Sequence, residues 1–315
     1  MTDKYFPEGT LLNKLENKMM TSTKENLISA MKSRKILEAK AVLCDNMHNL
    51  HVSLPCMEGI IPREEAAYGI SEGIVRDIAI ISRVNKPVCF YVKKIEKDEN
   101  GKCRAILSRK DVQIDCFNSY IKTLSSGQII RAVVTHLEKF GAFVDIGCGI
   151  SSMIPSDSIS VSRISHSSDR FYNGQSIYAV VKSFDGERVY LTHKELLGTW
   201  EENVSKFHQG ETVSGIVRSV EDYGIFVELA PNLAGLAEYR EGVYAGQSAS
   251  VYIKAIIPEK MKIKLVLVDS FDGPVSASEP AYSFKDEYIK EWKYSPEESS
   301  KKIFTVFWKT VLNFL

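Results

Sequence analysis

The sequence predicts an all-β chain of three small closed barrels in a row, and two observations carry that prediction. KFGAFVDIG, residues 139 to 147, returns eighty-three residues later as DYGIFVELA, residues 222 to 230, with aromatic, glycine, Phe, Val and an acid at matching places. Each copy sits in a longer run of short β-rich segments with turns between them. A fainter third copy lies upstream at a similar spacing of about 80 residues, the mark of tandem five-stranded units.

The elements follow in order. Residues 1–33 form an N-terminal helical extension, where STKENLISAMKSRKI predicts one amphipathic helix with Ser22 or Thr23 as its N-cap. Residues 34–112 hold the faint copy: Val52 aligns with Val144 and Pro62 with Pro155, and KPVCFYVKKI and CRAILSRK supply its last strands. DVQIDCFNSYIKTL has apolar residues at helical spacing, so 113–126 is a helical linker. The second copy, 127–198, opens with GQIIRAVVTHLEKFGAFVDIG and restarts at Gly174-Gln175 with SIYAVV and then RVYLTHK. A second helical linker fills 199–207. The third copy, 208–270, opens with GETVSGIVRSVEDYGIFVELA and restarts at Gly246-Gln247 with SASVYIKAI and KIKLVLV. Those restarts are 72 residues apart, so the third copy has the shorter connection after its third strand. Residues 271–315 are a polar tail ending in a predicted helix, with Phe304, Phe307, Trp308, Val311, Leu312 and Leu315 on one face for docking on the third barrel or on a partner.

Composition limits the function classes. Forty basic residues balance forty acidic ones, so no whole-chain field draws in a polyanion. By copy the net charge runs +3, zero and −2. Any nucleic-acid affinity must therefore come from stacking and a few placed cations. The six cysteines include no CxxC pair, and no apolar run reaches the ~20 residues of a bilayer span, which points to a cytoplasmic, reduced protein with no membrane contact. No GxxxxGK, HExxH or GxSxG pattern appears. The sequence gives no catalytic residue, cofactor, metal or small-molecule substrate. Cys44, His48, His51 and Cys56 lie close together but lack paired metal-ligand spacing, so they are read as strand and turn residues.

The repeated aromatic-glycine strand carries the functional reading. Residues 140 and 143 would point to opposite faces of a regular strand. A glycine between them is a natural bulge site that shifts register by one and brings both rings to one outer face. Paired exposed rings serve to stack unpaired bases, each stack contributing ~1–3 kcal/mol.

On FGAFVDIG, YGIFVELA, the Gly-Gln restarts and the LTHK ending, residues 34–270 resemble the S1 RNA-binding domain, a five-stranded OB-fold barrel. The tandem arrangement is similar to the bacterial ribosomal protein S1 family, in its short clostridial form. The resemblance implies that RNA is held by two strand aromatics, a histidine after the third strand and a basic residue on the last strand. The rings fall on Phe140 and Phe143 in the second copy and on Tyr223 and Phe226 in the third; His48 and His51 stand there in the first. The last-strand base falls on Arg104, Arg188 and Lys262. The histidine position holds Pro155 in the second copy and Glu238 in the third, so that contact is missing. Lys139 beside the first ring and Arg218 on the strand before Tyr223 add candidate phosphate contacts. The serine-rich insert SSMIPSDSISVSRISHSSDRF offers Arg163 and Arg170 as further phosphate ligands, with a solvated loop as the open alternative. The implied role is binding of single-stranded mRNA at the small ribosomal subunit. A protein-interaction scaffold, or an accessory to RNA decay or transcription, is the rival.

Overall fold

The structure, a computed structural model, describes residues 4–97, 101–273, 279–284 and 286–308. Two helices come first, α1 (Leu15–Ser22) and α2 (Lys24–Lys32). The first barrel is built from β1 (Leu37–Cys44), β2 (Leu50–Ser53), β3 (Glu58–Ile61), β4 (Pro87–Lys97) and β5 (Cys103–Ser108), with a short α3 (Ile78–Ile81) between β3 and β4. After α4 (Lys110–Ser119), the second uses β6 (Ile129–Glu138), β7 (Gly141–Asp145), β8 (Ser151–Pro155), β9 (Ser176–Asp185) and β10 (Arg188–Thr192). After α5 (Trp200–Val204), the third uses β11 (Thr212–Glu221), β12 (Gly224–Ala230), β13 (Leu233–Ala237), β14 (Ser248–Ile257) and β15 (Lys262–Phe271).

All three sheets close in one order. The first strand pairs with the second and fourth, and the third meets the fifth in parallel, so the ring reads 1-2-3-5-4 each time. This is the OB-fold connectivity expected of S1-type barrels. Period-2 alternation fills each interior. In β13, Leu233, Gly235 and Ala237 point inward while Ala234 and Leu236 are half-exposed. The third core gathers Val217, Ile225, Val227, Val251, Ile253 and Ile263, each almost fully buried. Burying each such side chain contributes ~1.5–3 kcal/mol.

The chain divides into two compact units, Met1–Leu124 with Asp145–Ser151, and Ser125–Val144 with Ser152–Leu315. In the first unit Arg109 and Glu8 form a buried ion pair at 2.7 Å. Burial works to raise the Glu8 carboxyl, but the Arg109 guanidinium outweighs it and holds the pKa below the ordinary value.

Two expectations about the ends need correction. The N-terminal region holds two helices rather than one, and Thr23, not Ser22, is the cap: its hydroxyl accepts from the Asn26 N–H at 3.2 Å. The predicted C-terminal helix is not formed where the chain is described. β16 (Glu291–Lys293) pairs antiparallel with β17 (Phe304–Val306). Phe304 and Phe307, expected on one helix face, differ sharply in exposure, at 61% and 6%. A short apolar run fits both periods, and here strand pairing and the Thr305 hydroxyl donating to Glu195 (2.8 Å) decide it. Val311, Leu312 and Leu315 lie outside the described residues.

That tail is an integral part of the second unit. Trp292 and Tyr294 enter the third barrel's core. The Ile129 N–H donates to the Glu287 carbonyl at 2.9 Å, and the Ile289 N–H to that of Gly127 at 2.8 Å, which fixes the tail along the second barrel.

Candidate nucleic-acid interface

The two ring pairs share one geometry. Phe140 and Phe143 stand with centroids 6.0 Å apart at 88°, and Tyr223 and Phe226 at 6.1 Å and 86°. In both pairs the first ring is exposed and the second half-buried. In the third barrel the expected bulge does not fall at the glycine. Phe140 and Tyr223 lie in the tight turns before β7 and β12, outside the pleat, and this lets both rings share a face. In the third barrel Gly224 pairs regularly with Glu221, and the register shift falls between Val217 and Ser219, at Arg218. The glycines are needed for a different reason. A Cβ on Gly224, whose φ is +149°, would lie 2.5 Å from the Ala237 carbonyl oxygen, and one on Gly141 would lie 2.5 Å from that of Ile154.

Around Tyr223 and Phe226 a groove of about 490 Å³ opens. Its cationic side chains come from three places. Lys260 and Lys262 belong to the third barrel, Arg163 to the serine-rich insert of the second, and Lys301 to the C-terminal tail. No Asp or Glu lines it among the described residues. Rings beside cations, without a competing carboxylate, can hold bases by stacking and phosphates by charge.

The insert is an ordered structural element rather than a solvated loop. Ser158, Ser160, Ser162 and Ser167 are buried, and two of their hydroxyls satisfy local groups: Ser160 donates to the Ser162 carbonyl and Ser167 to that of Glu138, both at 2.8 Å. The Val161 N–H donates to Asn232 Oδ1 at 2.9 Å, and Val161 packs against the third barrel's core. This anchoring places Arg163 at the groove.

Other predicted contacts have structural partners. Arg170 is buried and pairs with Glu228. Arg218 borders the groove, yet its guanidinium binds Glu228 at 2.9 Å and Asp169 at 3.2 Å. The two arginines and two acids thus form a buried network joining insert to barrel. Arg104 makes two hydrogen bonds to Glu96, at 2.9 and 2.7 Å. His48 occupies a left-handed turn position at φ +63°, and His51 stands between Glu58 (2.8 Å) and Asp45 (3.4 Å). Two carboxylates beside that imidazole repel phosphate. Lys139, next to Phe140, and Arg188, at the start of β10, are exposed, and Lys262 faces the third pair's groove.

Sequence reasoning missed Lys260 and Lys301. Lys260 ends the short 3-10 turn Pro258–Lys260 just before β15. Its offset from Lys262 was the one available clue. Lys301 carried no local signal, because the tail's course over the third barrel is a tertiary fact.

Residues 123–194 match the S1 RNA binding domain family. The chain is similar to the small ribosomal subunit protein bS1 of Staphylococcus aureus strain N315, 28% identical over 214 residues, covering 62% of this chain and 53% of the relative. The bS1 of Rhizobium meliloti strain 1021 is also 28% identical, over 222 residues, covering 64% and 38%. The chain therefore spans about half the length, or less, of these curated relatives. A multidomain protein with nucleic acid binding domains from Streptococcus pneumoniae TIGR4 overlaps 75% of this chain and 73% of its own at 14% identity and a TM-score of 0.24. With its three closed barrels in one strand order and these sequence relationships, the chain resembles the bacterial ribosomal protein S1 family, and its second barrel matches the S1 RNA binding domain.

Proposed function

We propose that the protein binds single-stranded RNA, mRNA in particular, as an S1-like factor in translation, and that the third barrel's groove is its principal contact. The observation that carries this reading is the ring pair Tyr223 and Phe226 set among Arg163, Lys260, Lys262 and Lys301, with no carboxylate in the lining among the described residues. The rings need free base faces, so unpaired RNA is the ligand and a continuous duplex is excluded. Lys139, next to Phe140, and Arg188, at the start of β10, would serve a second stacking position at Phe140 and Phe143, and two weak sites on one strand multiply affinity by ~10²–10⁴ when both engage. The protein acts by binding rather than catalysis, in the cytoplasm, with the small ribosomal subunit as its larger partner. The three barrels, within the boundaries predicted from sequence (34–112, 127–198 and 208–270), are the modules in which this binding would be organised.

The first barrel supports a different role. Its ring positions hold His48 and His51, the latter flanked by acids, while Ile74 and Ile78 are 77% and 65% exposed. Aliphatic surface of this kind suits protein docking better than base stacking.

Fluorescence anisotropy of a labelled, unstructured RNA tests the proposal. The full chain binds, and Tyr223→Ala with Phe226→Ala weakens binding by ~1–3 kcal/mol per ring. Unchanged binding by that folded double variant would remove the third barrel from the account, and no binding by the wild type would leave the scaffold role.

A further inference from the structure

Resting on the RNA-binding reading above, we propose that the C-terminal tail is part of the RNA site: Lys301, with Arg163 of the insert, forms a cationic wall that the third barrel does not itself supply. Both residues line the groove that holds Tyr223 and Phe226. The wall is held in place by the fold. The Tyr294 N–H donates to the Ile303 carbonyl at 3.0 Å and the Ile303 N–H to Ser295 Oγ at 2.8 Å. The Ser299 hydroxyl donates to the Lys301 carbonyl at 3.1 Å and accepts from the Lys301 N–H at 3.3 Å. Beneath them Tyr294 is buried, with its hydroxyl donating to the Asn232 carbonyl. Asn232 in turn receives the insert through Val161. One residue of the third barrel thus anchors the segments that present both Lys301 and Arg163.

The electrostatics give the wall a purpose. The third copy alone carries net charge −2 and would repel a polyanion. Cations contributed from outside the barrel offset that field beside the exposed Tyr223 ring. Because the segment bearing Lys301 is already ordered, binding does not have to immobilise a free tail. The ligand class is a single-stranded polynucleotide long enough to put one phosphate at the barrel's lysines and another at the wall.

Salt dependence is the test, since each phosphate contact adds ~0.7 to the slope of log K against log salt for single strands. A fluorescein-labelled twelve-nucleotide oligouridylate is titrated with the full chain from 50 to 300 mM KCl. Lys301→Ala and Arg163→Ala should each lower the slope by ~0.7 and weaken binding about fivefold at 0.1 M salt, and together about twenty-five-fold. Lys18→Ala, on exposed α1, serves as the bulk-charge control and should leave both quantities unchanged. If Lys301→Ala matches wild type while Tyr223→Ala with Phe226→Ala loses binding, the tail wall is refuted and the RNA reading stands. An equal drop with Lys18→Ala also refutes the wall, and absence of wild-type binding refutes both.

Discussion

The ring pairs of the second and third barrels are nearly superimposable in their internal geometry and unlike in their surroundings. Phe140 and Phe143 stand beside His136, whose Nε2 lies 2.7 Å from a Glu138 carboxylate oxygen. Tyr223 and Phe226 stand in a groove whose lining includes four lysine and arginine side chains from three segments, besides the committed Arg218. A repeated strand can therefore carry the same platform twice, while neighbouring segments decide how much charge each platform sees. The domain-by-domain balance is misleading here: the third barrel is the most acidic copy, yet its groove is cationic, because Arg163 and Lys301 come from outside it.

The widest separation between the pairs should come from removing the rings. Tyr223→Ala with Phe226→Ala should lose ~2–6 kcal/mol in total, and Phe140→Ala with Phe143→Ala clearly less, both read by anisotropy at fixed salt. Equal losses would erase the difference between the barrels. Next in size is the buried network beneath the third groove. Arg170→Ala leaves Glu228 without one of its cationic partners and should cost ~3–5 kcal/mol in urea unfolding, with RNA binding through Tyr223 weakened more than binding through Phe140. A loss confined to stability would show that the insert's position does not matter to the site.

Acid should act on the second barrel first. Burial holds His193 down to about 4, with the Arg170 charge acting in the same direction and a hydrogen bond to the Ile159 carbonyl (3.1 Å) opposing. The ring is packed edge-on to Phe171 and Tyr282. The unfolded chain therefore takes up a proton near 6.5 that the folded chain refuses until about 4. Stability is complete above about 6.5 and is lost as pH falls towards 4, by up to ~3 kcal/mol. Glu38 and Asp145, both raised to about 7 by burial, act in the opposite direction over this range, so the His193 contribution is read as the wild-type advantage in urea midpoint over His193→Gln, which should shrink from pH 7.5 to 5.5 to 4.5. An advantage that stays constant with pH would assign the acid sensitivity elsewhere.

The smallest effect sharpens the comparison at the glycines. Gly224→Ala adds a Cβ against the Ala237 carbonyl at a positive φ, whereas Gly141→Ala meets the Ile154 carbonyl without that added backbone strain. Both should destabilise, Gly224→Ala by ~1–3 kcal/mol and the more of the two. Equal thermal shifts would show that the close approach alone is responsible.

What the sequence disclosed follows from how local each feature is. The barrels were legible because alternation and turns repeat three times, and the ring pairs because aromatic, glycine and Phe-Val sit within six residues. The glycine was found but its role was misjudged, since a neighbouring strand's carbonyl cannot be seen in its own segment. Arg170 and Arg218 looked like surface cations because their partner Glu228 lies in another repeat for one and across a strand pair for the other. The tail's apolar run fitted a helix as well as a strand, and only pairing of β17 with β16 separates the two. Lys301 had no local signature at all, and its importance rests on where that pairing places it.

Photo-cross-linking of a 4-thiouridine-substituted single-stranded RNA to the full chain, with the attached residues located by mass spectrometry, tests the central claim most directly. Cross-links should concentrate on Tyr223 and Phe226 and on the peptides bearing Arg163 and Lys301, with weaker labelling at Phe140 and Phe143. Labelling centred on the first barrel, or on the second ring pair with the third groove untouched, would contradict it.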